Sequence, residues 1–429
     1  MPVSTGGGFC LERSGPQAQR SFVMNILFLS TRSPYPLISG HSLRTYHILK
    51  GAAQKHNVTL VTFVQLPEHE LKEENLEHLR SFCKAVYPFK IPVDFSRLKL
   101  ASGLFMNLFS SKPFVAKKYD VPEVRDKIKE ILSKEKIDLV HVDMLPLSVY
   151  INEFKELPKI LVNHNVESIR LYRWFQTESN PVKKAYLGMQ YPKLKAFERS
   201  AMEKFDCCVV VSEKDKDLLR EMGVKNNLAV VPNGTDTTFF KPMGRKKIEN
   251  SVLWLGHMDV HTNKDAVLYF WREIFPLLQK QYPQAHMTFV GTAPPKEIEE
   301  AASKNENIRV TGFVDDVRPY IDEAEVMVVP LRIGSGTRLK ILDAMAMGKA
   351  IVSTSVGCEG LDVSDGKNIL IADDPEYFAA QIISVLESEE IKVLLQMNAR
   401  RLSETYDWNT IINKQEMIYD DIIKKRGNI

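Results

Sequence analysis

The chain alternates short, nearly uninterrupted apolar runs with longer amphipathic stretches, and it does so in two successive series. Runs of Val, Ile and Leu without polar alternation are typical of strands that are covered on both faces of a parallel sheet. The amphipathic stretches between them have the length and periodicity of covering helices. This pattern predicts an α/β fold of two tandem doubly wound, Rossmann-like domains that face each other across a cleft.

The expected elements can be placed along both series. In the first series we expect strands at 25–30, 58–63, 138–142, 159–163, 207–212 and 228–232, and helices at about 41–55, 67–81, 121–135, 182–205 and 213–222. In the second series we expect strands at 251–256, 286–291, 308–313, 326–331, 350–354 and 368–372. We expect helices at 264–280, 375–387, 390–404 and 409–425, and one more helix that follows the loop 334–336 and ends at about 347.

A stretch rich in turn formers and charge, 232–251, separates the two series and predicts the domain boundary. With 429 residues the chain is too long for one ordinary core. We expect one domain over 24–235 and a second over 236–405. The last helix, within 406–429, would cross back to the first domain. Residues 1–23 are rich in Gly and polar residues, and we expect a disordered tail there.

Composition narrows the class of protein. The formal net charge of +3 and the pI of about 8.4 are only mildly basic, so we expect no nucleic-acid partner. Five scattered cysteines without C-x-x-C spacing fit a reducing, cytoplasmic compartment and indicate neither a disulfide framework nor a zinc site. No apolar run reaches the roughly 18 residues that are needed to span a bilayer.

One segment has the features of an anion site. The glycine loop 334–336 follows an apolar strand and precedes a helix that would begin with Arg338 and Lys340. The bare N–H groups and the dipole at a helix N-terminus suit a phosphate, and the two cations add to that attraction. Asp343, one turn after Lys340, could accept hydrogen bonds from a ribose. The alternatives are a surface Lys340–Asp343 pair beside a plain loop, or a dinucleotide-binding loop, although the third glycine of that fingerprint is missing.

Several segments, taken in order, resemble the family 4 retaining nucleotide-sugar glycosyltransferases, also called glycosyl transferases group 1, which have the glycosyltransferase-B fold. They include "SPYPLISGHSLRTYHILKGAAQKHNVTLVTF" (33–63), "DLVHVDMLPLS" (138–148), "VVPNGTDTTFFKP" (230–242) and "GSGTRLKILDAMAMGKAIVSTSVGCEGLDV" (334–363). The resemblance extends from Met24 to the C-terminus. It implies a hexosyltransferase that makes cell-surface polysaccharide or glycolipid, with an acceptor-binding N-terminal domain and a nucleotide-sugar-binding C-terminal domain.

The resemblance also implies roles for individual residues. Arg338 and Lys340 would bind the donor diphosphate, and Asp343 would bind the ribose in place of the family's usual Glu. Ser335 stands where the family usually has another Glu, which contacts the donor sugar. The remaining donor-binding positions implied are Gly40, Gly256, His257, Phe313, Val314 and Gly336.

Two residues are candidates for the group that faces the reacting sugar. Asp143 ends a strand where the family has a His, and His164 ends the next strand in "VNHNVES" (162–168). The resemblance does not decide between them. His141 lies inside the strand, and we expect it to pack in the core.

We expect no metal or other cofactor. A metal-dependent transferase would need a D-x-D motif at a strand end, and "DKD" (215–217) is instead predicted to be the acidic first turn of a helix begun by Ser212. The leaving diphosphate would then be stabilised by helix N–H groups and by cations.

Residues 97–119 contain five cations and no acid, interleaved with Leu and Phe, and 181–199 is similarly basic and aromatic. Such a composition suits a membrane surface or a lipid-linked anionic acceptor. It equally fits an ordinary amphipathic helix packed on the sheet. The partners expected are therefore a nucleotide-sugar donor, a saccharide or lipid-linked acceptor and, on the first interpretation, the cytoplasmic face of the membrane. A nucleotide-sugar epimerase or hydrolase on the same fold, or a non-catalytic nucleotide-sugar-binding protein, are the alternative functions.

Overall fold

A computed structural model describes residues 23–37, 39–65, 72–333 and 338–427 of the chain. It contains two parallel sheets, one of seven and one of six strands, each flanked by helices. This is the α/β architecture of two Rossmann-like domains that the alternation of apolar runs predicts. The tail 1–22, the glycine loop 334–337 and the first part of the helix expected at 67–81 lie outside the described residues.

The first sheet consists of β1 (Asn25–Ser30), β2 (Asn57–Val64), β3 (Ala85–Lys90), β4 (Leu139–Asp143), β5 (Lys159–Val162), β6 (Cys207–Val210) and β7 (Leu228–Val230). Its helices are α1 (Gly40–Lys55), α2 (Glu73–Arg80), α3 (Arg97–Leu108), α4 (Phe114–Lys118), α5 (Pro122–Lys134), α6 (Glu167–Thr177), α7 (Pro181–Met202) and α8 (Glu213–Glu221), with a 3₁₀ segment at Leu145–Phe154.

The second sheet consists of β8 (Ser251–Leu255), β9 (His286–Val290), β10 (Ile308–Val310), β11 (Val326–Val329), β12 (Ala350–Ser353) and β13 (Leu370–Ile371). Its helices are α9 (His261–Tyr269), α10 (Phe275–Gln281), α11 (Lys296–Ala302), α12 (Arg318–Glu323), α13 (Leu339–Ala346), α14 (Pro375–Glu387) and α15 (Glu389–Glu404), and the described chain ends with α16 (Trp408–Gly427).

Strand order places one topological switch point in each sheet. The first sheet has the order β3-β2-β1-β4-β5-β6-β7, and the second has the order β10-β9-β8-β11-β12-β13. In each, the chain first builds outward in one direction and then restarts on the other side, between β1 and β4 or between β8 and β11. Ligands of open α/β sheets bind at such points, beyond the carboxyl ends of the strands.

Both faces of each sheet are buried, which explains the lack of polar alternation in the strands. Along β1, Leu27 and Leu29 pack into one core cluster, while Ile26 and Phe28 pack into the cluster on the opposite face. Residues of α16, including Trp408 and Tyr419, lie in the same cluster as Ile26 and Phe28. The last helix therefore packs on the sheet of the N-terminal half.

Two differences from the predicted elements have physical causes. The strand β3 was not predicted, because it is an edge strand whose residues are mostly partly exposed and which contains Pro88. The helix expected at 264–280 is divided by a π-helical segment, Phe270–Ile274. Pro276 lies in the first turn of α10, where its missing N–H is tolerated.

Candidate functional site

The C-terminal half contributes a helix N-terminus at its switch point. Helix α13 follows β11, and Arg338 is its N-cap residue. The Nζ atom of Lys340 donates to the carbonyl oxygen of Leu255, at the end of β8, at 2.9 Å and lies 5.1 Å from the centre of the Trp254 ring. The structure thus places Lys340 at the end of β8 and Arg338 at the start of the helix that follows β11. Ser335 and Gly336 lie outside the described residues.

Burial makes this site responsive to an anion. Desolvation, reinforced by the charge of Arg338, lowers the pKa of Lys340 to about 7. Desolvation also lowers the pKa of Arg338, although the nearby Glu359 carboxylate opposes that shift. A bound anion would replace the hydration that these cations lose and would favour their charged forms.

Asp343 contacts the segment that links the two sheets. Its Oδ1 atom accepts a hydrogen bond from Oγ1 of Thr235 at 2.7 Å, and burial raises its pKa to about 7. The backbone of Thr235 pairs with the chain before α16, since its N–H donates to the carbonyl of Tyr406 at 2.9 Å. The interpretation of Lys340 and Asp343 as a surface pair is not supported, because each has a different partner.

Glycines allow the backbone to turn closely at the ends of β8, β9 and β10. Gly291 has φ +142°, and a Cβ atom there would lie 1.7 Å from the carbonyl oxygen of Gly256. The N–H of Gly291 donates to the carbonyl of Gly312 at 3.1 Å. Beside this turn, Nδ1 of His257 lies 2.8 Å from Oγ1 of Thr292, so the imidazole is oriented at the strand ends.

Two further predicted donor residues follow β10. Phe313 is 69% exposed, whereas Val314 is half-buried and packs against the core next to β11. An exposed aromatic ring at this edge could stack on a planar ligand such as a nucleobase.

The N-terminal half contributes a carboxylate–imidazole pair at its own switch point. Asp143 ends β4, where it is in register with Ser30 at the end of β1. Its Oδ1 atom lies 2.7 Å from Nε2 of His164, and its Oδ2 atom accepts a hydrogen bond from Thr45 at 2.5 Å. The structure therefore joins the two residues between which the sequence did not decide.

The electrostatics of this pair follow from its burial. Burial alone would raise the pKa of Asp143, but the charge and hydrogen bond of His164 hold it well below its usual range. The ring of His41 lies 4.6 Å from that of His164, and burial, reinforced by His164, lowers the pKa of His41 to about 3. His41 is thus held neutral beside the pair.

His141 packs in the core, as predicted. Its ring stacks on Phe28 with centres 3.9 Å apart, and its Nδ1 lies 2.6 Å from the hydroxyl of Tyr419 on α16. Burial lowers its pKa to about 3. Its role is structural, because it couples the sheet of the N-terminal half to the last helix.

The two switch points lie against each other. Gly40 is the first residue of α1, after the capping residue Ser39, and a Cβ atom at Gly40 would lie 3.1 Å from Cδ1 of Leu339 in α13. Gly40 therefore lets the N-terminal half approach the helix that carries Lys340.

An ion-pair cluster crosses between the halves nearby. The carboxylate of Glu359 lies 3.1 Å from Nη2 of Arg173 on α6 and 2.6 Å from Nζ of Lys214 on α8. Because Glu359 also acts electrostatically on Arg338, this cluster connects the anion site to the N-terminal half.

Three residues of this region were missed by the sequence reasoning. His41 and Thr45 are four apart on α1, so they share a face toward Asp143 and His164. Their positions just after Gly40, on one face of the expected helix, could have indicated in the sequence that they belong to the site. Glu359 had no comparable signal, because its partners are distant in the sequence.

The acidic segment 215–217 lies at the start of a helix and does not end a strand. The "DKD" segment is the first turn of α8, and Oγ of Ser212 accepts from the N–H of Asp215 at 3.1 Å, so the capping prediction is confirmed. Within the described ranges no group of three or more His, Cys, Asp or Glu side chains is arranged to hold a metal ion. No helix in the described part of the chain is long and apolar enough to cross a bilayer.

Comparison with known proteins establishes the class. Residues 38–239 match the family "Glycosyltransferase Family 4", and residues 249–388 match "Glycosyl transferases group 1". The chain belongs to the group 1/family 4 glycosyltransferases. It is therefore a glycosyltransferase, and these matches do not favour the epimerase, hydrolase or non-catalytic alternatives.

Individual relatives are distant. A protein of the Klebsiella pneumoniae cps region, described as an uncharacterized 44.6 kDa protein, is 24% identical over 89% of this chain and 96% of its own length. The phosphatidyl-myo-inositol mannosyltransferase of Mycolicibacterium smegmatis is 26% identical over 45% of this chain and 51% of its own.

Solved structures share the fold. Sucrose-phosphate synthase from Thermosynechococcus elongatus has a TM-score of 0.68 at 18% identity, covering 94% of this chain and all 100% of that one. HepE of Anabaena in complex with UDP has a TM-score of 0.64 at 16% identity, covering 93% and 100%. These likenesses agree with two Rossmann-like domains of the glycosyltransferase-B type.

Proposed function

We propose that the chain transfers a sugar from a nucleoside-diphosphate sugar to a hydroxyl group of a saccharide or lipid-linked acceptor, with retention of configuration and without a metal ion. The observation that carries this proposal is the apposition of the two switch points through Gly40 and Leu339. It brings a helix N-terminus with two cations toward a buried carboxylate–imidazole pair.

The donor half of the mechanism depends on charge. As the bond between the anomeric carbon and the phosphate oxygen breaks, negative charge grows on the leaving nucleoside diphosphate. The N–H groups of the first turn of α13, the guanidinium of Arg338 and the ammonium of Lys340 would stabilise it. The turn at Gly256 and Gly291 would allow the donor to approach the backbone, and Asp343 would bind the ribose.

On the acceptor half we assign different roles to the two candidates. Both carboxylate oxygens of Asp143 are engaged, one by Thr45 and one by His164, and its side chain is 2% exposed against 9% for His164. We assign His164 as the group that faces the reacting sugar, and Asp143 as the residue that positions its ring. The acceptor hydroxyl would attack from the face that the phosphate leaves and would pass its proton to that departing phosphate.

The names of relatives support a lipid-linked acceptor. One relative is a phosphatidyl-myo-inositol mannosyltransferase, and another, from Campylobacter jejuni, acts on N,N'-diacetylbacillosaminyl-diphospho-undecaprenol. Both names describe sugars placed on lipids that carry phosphate groups. We propose the same acceptor class here, and with it a cytoplasmic protein that contacts the membrane peripherally.

Calorimetric titration of UDP, GDP, ADP and CMP tests the donor site. We expect one nucleotide to bind, and Arg338→Ala to weaken that binding by about 1.5–3 kcal/mol, roughly 10- to 150-fold. Arg332→Ala is the matched control, since Arg332 lies just before the loop and pairs with Asp265 at 2.7 Å. Equal binding by wild type and Arg338→Ala would refute the donor assignment.

Two measurements on the active enzyme test retention of configuration and independence of a metal ion. The anomeric configuration of the product, determined by NMR, should equal that of the donor, and inversion would refute the retaining mechanism. Turnover should persist after EDTA treatment, and loss of turnover that Mg²⁺ or Mn²⁺ restores would refute metal independence.

A further inference from the structure

A groove on the N-terminal half has the size and lining of a site for a hydrocarbon chain. It lies among α3, α4, α6 and α7 and encloses about 750 Å³, within the roughly 300–1,000 Å³ of small-molecule sites. Its apolar lining includes Leu104, Phe114, Leu171, Trp174, Val182 and Leu187. The described lining contains one acid, Glu167, whose Oε2 atom lies 2.7 Å from Nη2 of Arg170.

Helix α3 does not use its apolar residues to cover the sheet. Of its twelve residues only Asn107 is buried, while Leu98, Phe105 and Met106 are 84%, 61% and 65% exposed. The alternative of an ordinary amphipathic helix packed on the sheet is therefore wrong for α3, whereas Val115 and Tyr119 later in the segment pack against the core of the first sheet. Exposed apolar side chains gathered at one place mark an interaction surface.

A buried polar network holds the groove open. The Oδ1 atom of Asn107 accepts from Nε2 of Gln190 on α7 at 2.7 Å, and Oε1 of Gln190 accepts from the N–H of Phe114 at 2.9 Å. The Nζ atom of Lys193 also donates to the carbonyl of Asn107 at 3.1 Å. These bonds connect α3 and α4 to α7, so the groove is formed by the fold itself.

Charge around the groove selects the kind of occupant. Neither 97–119 nor 181–197 contains an acid. Exposed cations lie on α3, α4 and α7 and between α3 and α4, namely Arg97, Lys99, Lys112, Lys117, Lys183 and Lys195. Of these cations, Lys183 lines the groove together with Arg170, and the others lie on the helices that form it or next to them; we call this set the basic rim. An apolar groove with such cations is complementary to a lipid with an anionic head group. A second copy of the chain would instead bring two sets of cations together.

Helix α6 connects the groove to the segment that carries His164. This helix begins at Glu167, three residues after His164, and Arg170 in its first turn lines both the groove and a small cavity at Glu359 and Gly360. A chain in the groove would therefore leave its head group near the start of α6.

We propose that this groove binds the hydrocarbon chain of an anionic membrane lipid, with the head group at the basic rim. The assignment of that lipid as the sugar acceptor rests on the proposed function. The lipid-binding claim itself rests on the lining, the exposed face of α3 and the charge.

Quenching of Trp174 by brominated lipid tests occupancy directly. Trp174 is 54% exposed in the groove lining, whereas Trp254 and Trp408 are 0% and 4% exposed, and Trp271 packs against the core of the C-terminal half. We expect vesicles of phosphatidylcholine and phosphatidylglycerol with brominated acyl chains to quench wild-type fluorescence. Trp174→Phe should remove that quenching while the protein still sediments with the vesicles.

A substitution that places a negative charge in the groove is the second test of lipid binding. Val182 is 78% exposed and lines the groove, and Val393 on α15 is 40% exposed elsewhere. We expect Val182→Asp to lower partitioning to these vesicles by about tenfold, with Val393→Asp as the matched control. Titration of the wild type and both variants with UDP, GDP, ADP and CMP separates the two proposals. A wild type that binds a nucleotide but not the vesicles overturns the groove assignment alone, and a wild type that binds the vesicles but no nucleotide overturns the donor assignment alone. Val182→Asp should keep the nucleotide binding of the wild type, because Val182 lines the groove and not the donor site.

Other outcomes would overturn the lipid proposal. They are no sedimentation of the wild type with anionic vesicles, sedimentation without quenching of Trp174, and equal partitioning of the two aspartate variants. A wild-type dimer that Val182→Asp dissociates, measured by light scattering, would assign the groove to a second copy of the chain.

Discussion

The Asp143 carboxylate bridges two elements of the N-terminal half, with Oδ1 2.7 Å from Nε2 of His164 and Oδ2 2.5 Å from the hydroxyl oxygen of Thr45. These contacts connect the end of β4 to the loop after β5 and to α1. The position of the His164 ring therefore depends on Asp143. Both carboxylate oxygens of Asp143 are already engaged, so neither is left to contact a substrate.

Asp143→Asn should impair turnover without affecting the donor site. Because an amide cannot accept hydrogen bonds at both of its terminal atoms, His164 loses its orientation, and we expect kcat to fall by about 100-fold or more. The Kd for the nucleotide that the wild type binds, measured by calorimetry, should stay unchanged. Asp138→Asn, at the other end of the same strand segment, is the control, and unaltered kcat in Asp143→Asn would contradict the positioning role.

Donor binding should weaken as pH rises above 7. Burial and Arg338 lower the pKa of Lys340 to about 7, so above that pH binding of an anion must first restore the ammonium charge. We expect the Kd for the nucleotide that the wild type binds to rise by up to about tenfold between pH 7.5 and 8.5, with proton uptake visible as a buffer-dependent enthalpy. Lys340→Arg should remove this dependence, since arginine stays charged. A flat wild-type profile would refute the assignment.

The stability of the N-terminal half should depend on His141. Its folded pKa of about 3 lies below the unfolded value of about 6.5, so the unfolded chain binds more protons and stability falls as pH drops through that window. For one such histidine the loss between pH 7 and 5 is about 2 kcal/mol. Urea unfolding of His141→Gln should show a pH dependence smaller by about that amount.

A surface histidine provides the comparison for that experiment. His261 is exposed at the start of α9, and His261→Gln should keep the wild-type pH dependence. Parallel curves for His141→Gln and the wild type would show that His141 is not held neutral by burial.

Gly291→Ala should disrupt the strand-end turn of the C-terminal half. The added Cβ would lie 1.7 Å from the carbonyl oxygen of Gly256, and φ is +142°. We expect a loss of on the order of 3 kcal/mol or more in the free energy of unfolding, with loss of nucleotide binding. Gly366→Ala is the control, because Gly366 also has positive φ, at +70°, but nothing within 4 Å of its Cβ position, and should cost about 1 kcal/mol. Equal thermal shifts would contradict the steric argument.

Sequence periodicity was sufficient for most of the fold. Continuous apolar runs such as 25–30 and 326–331 became β1 and β11, because burial on both faces of a parallel sheet requires that composition. The edge strand β3 and helix α6 were not predicted. A partly exposed edge strand lacks such a run, and α6 buries only Glu167 and Ser168, so its apolar side chains do not mark a helix that faces the core.

For the site, the sequence alone determined which residue types stand at the strand ends and at the start of α13: Asp143, His164, Arg338 and Lys340. Local spacing carries that information, because strand ends and helix starts are local features. Only the tertiary structure decided that Asp143 and His164 form a pair, that Glu359 joins both halves, and that α3 leaves its apolar side chains exposed. Those contacts depend on sheet order and on packing between residues 21 to 186 positions apart, which periodicity along the chain cannot encode.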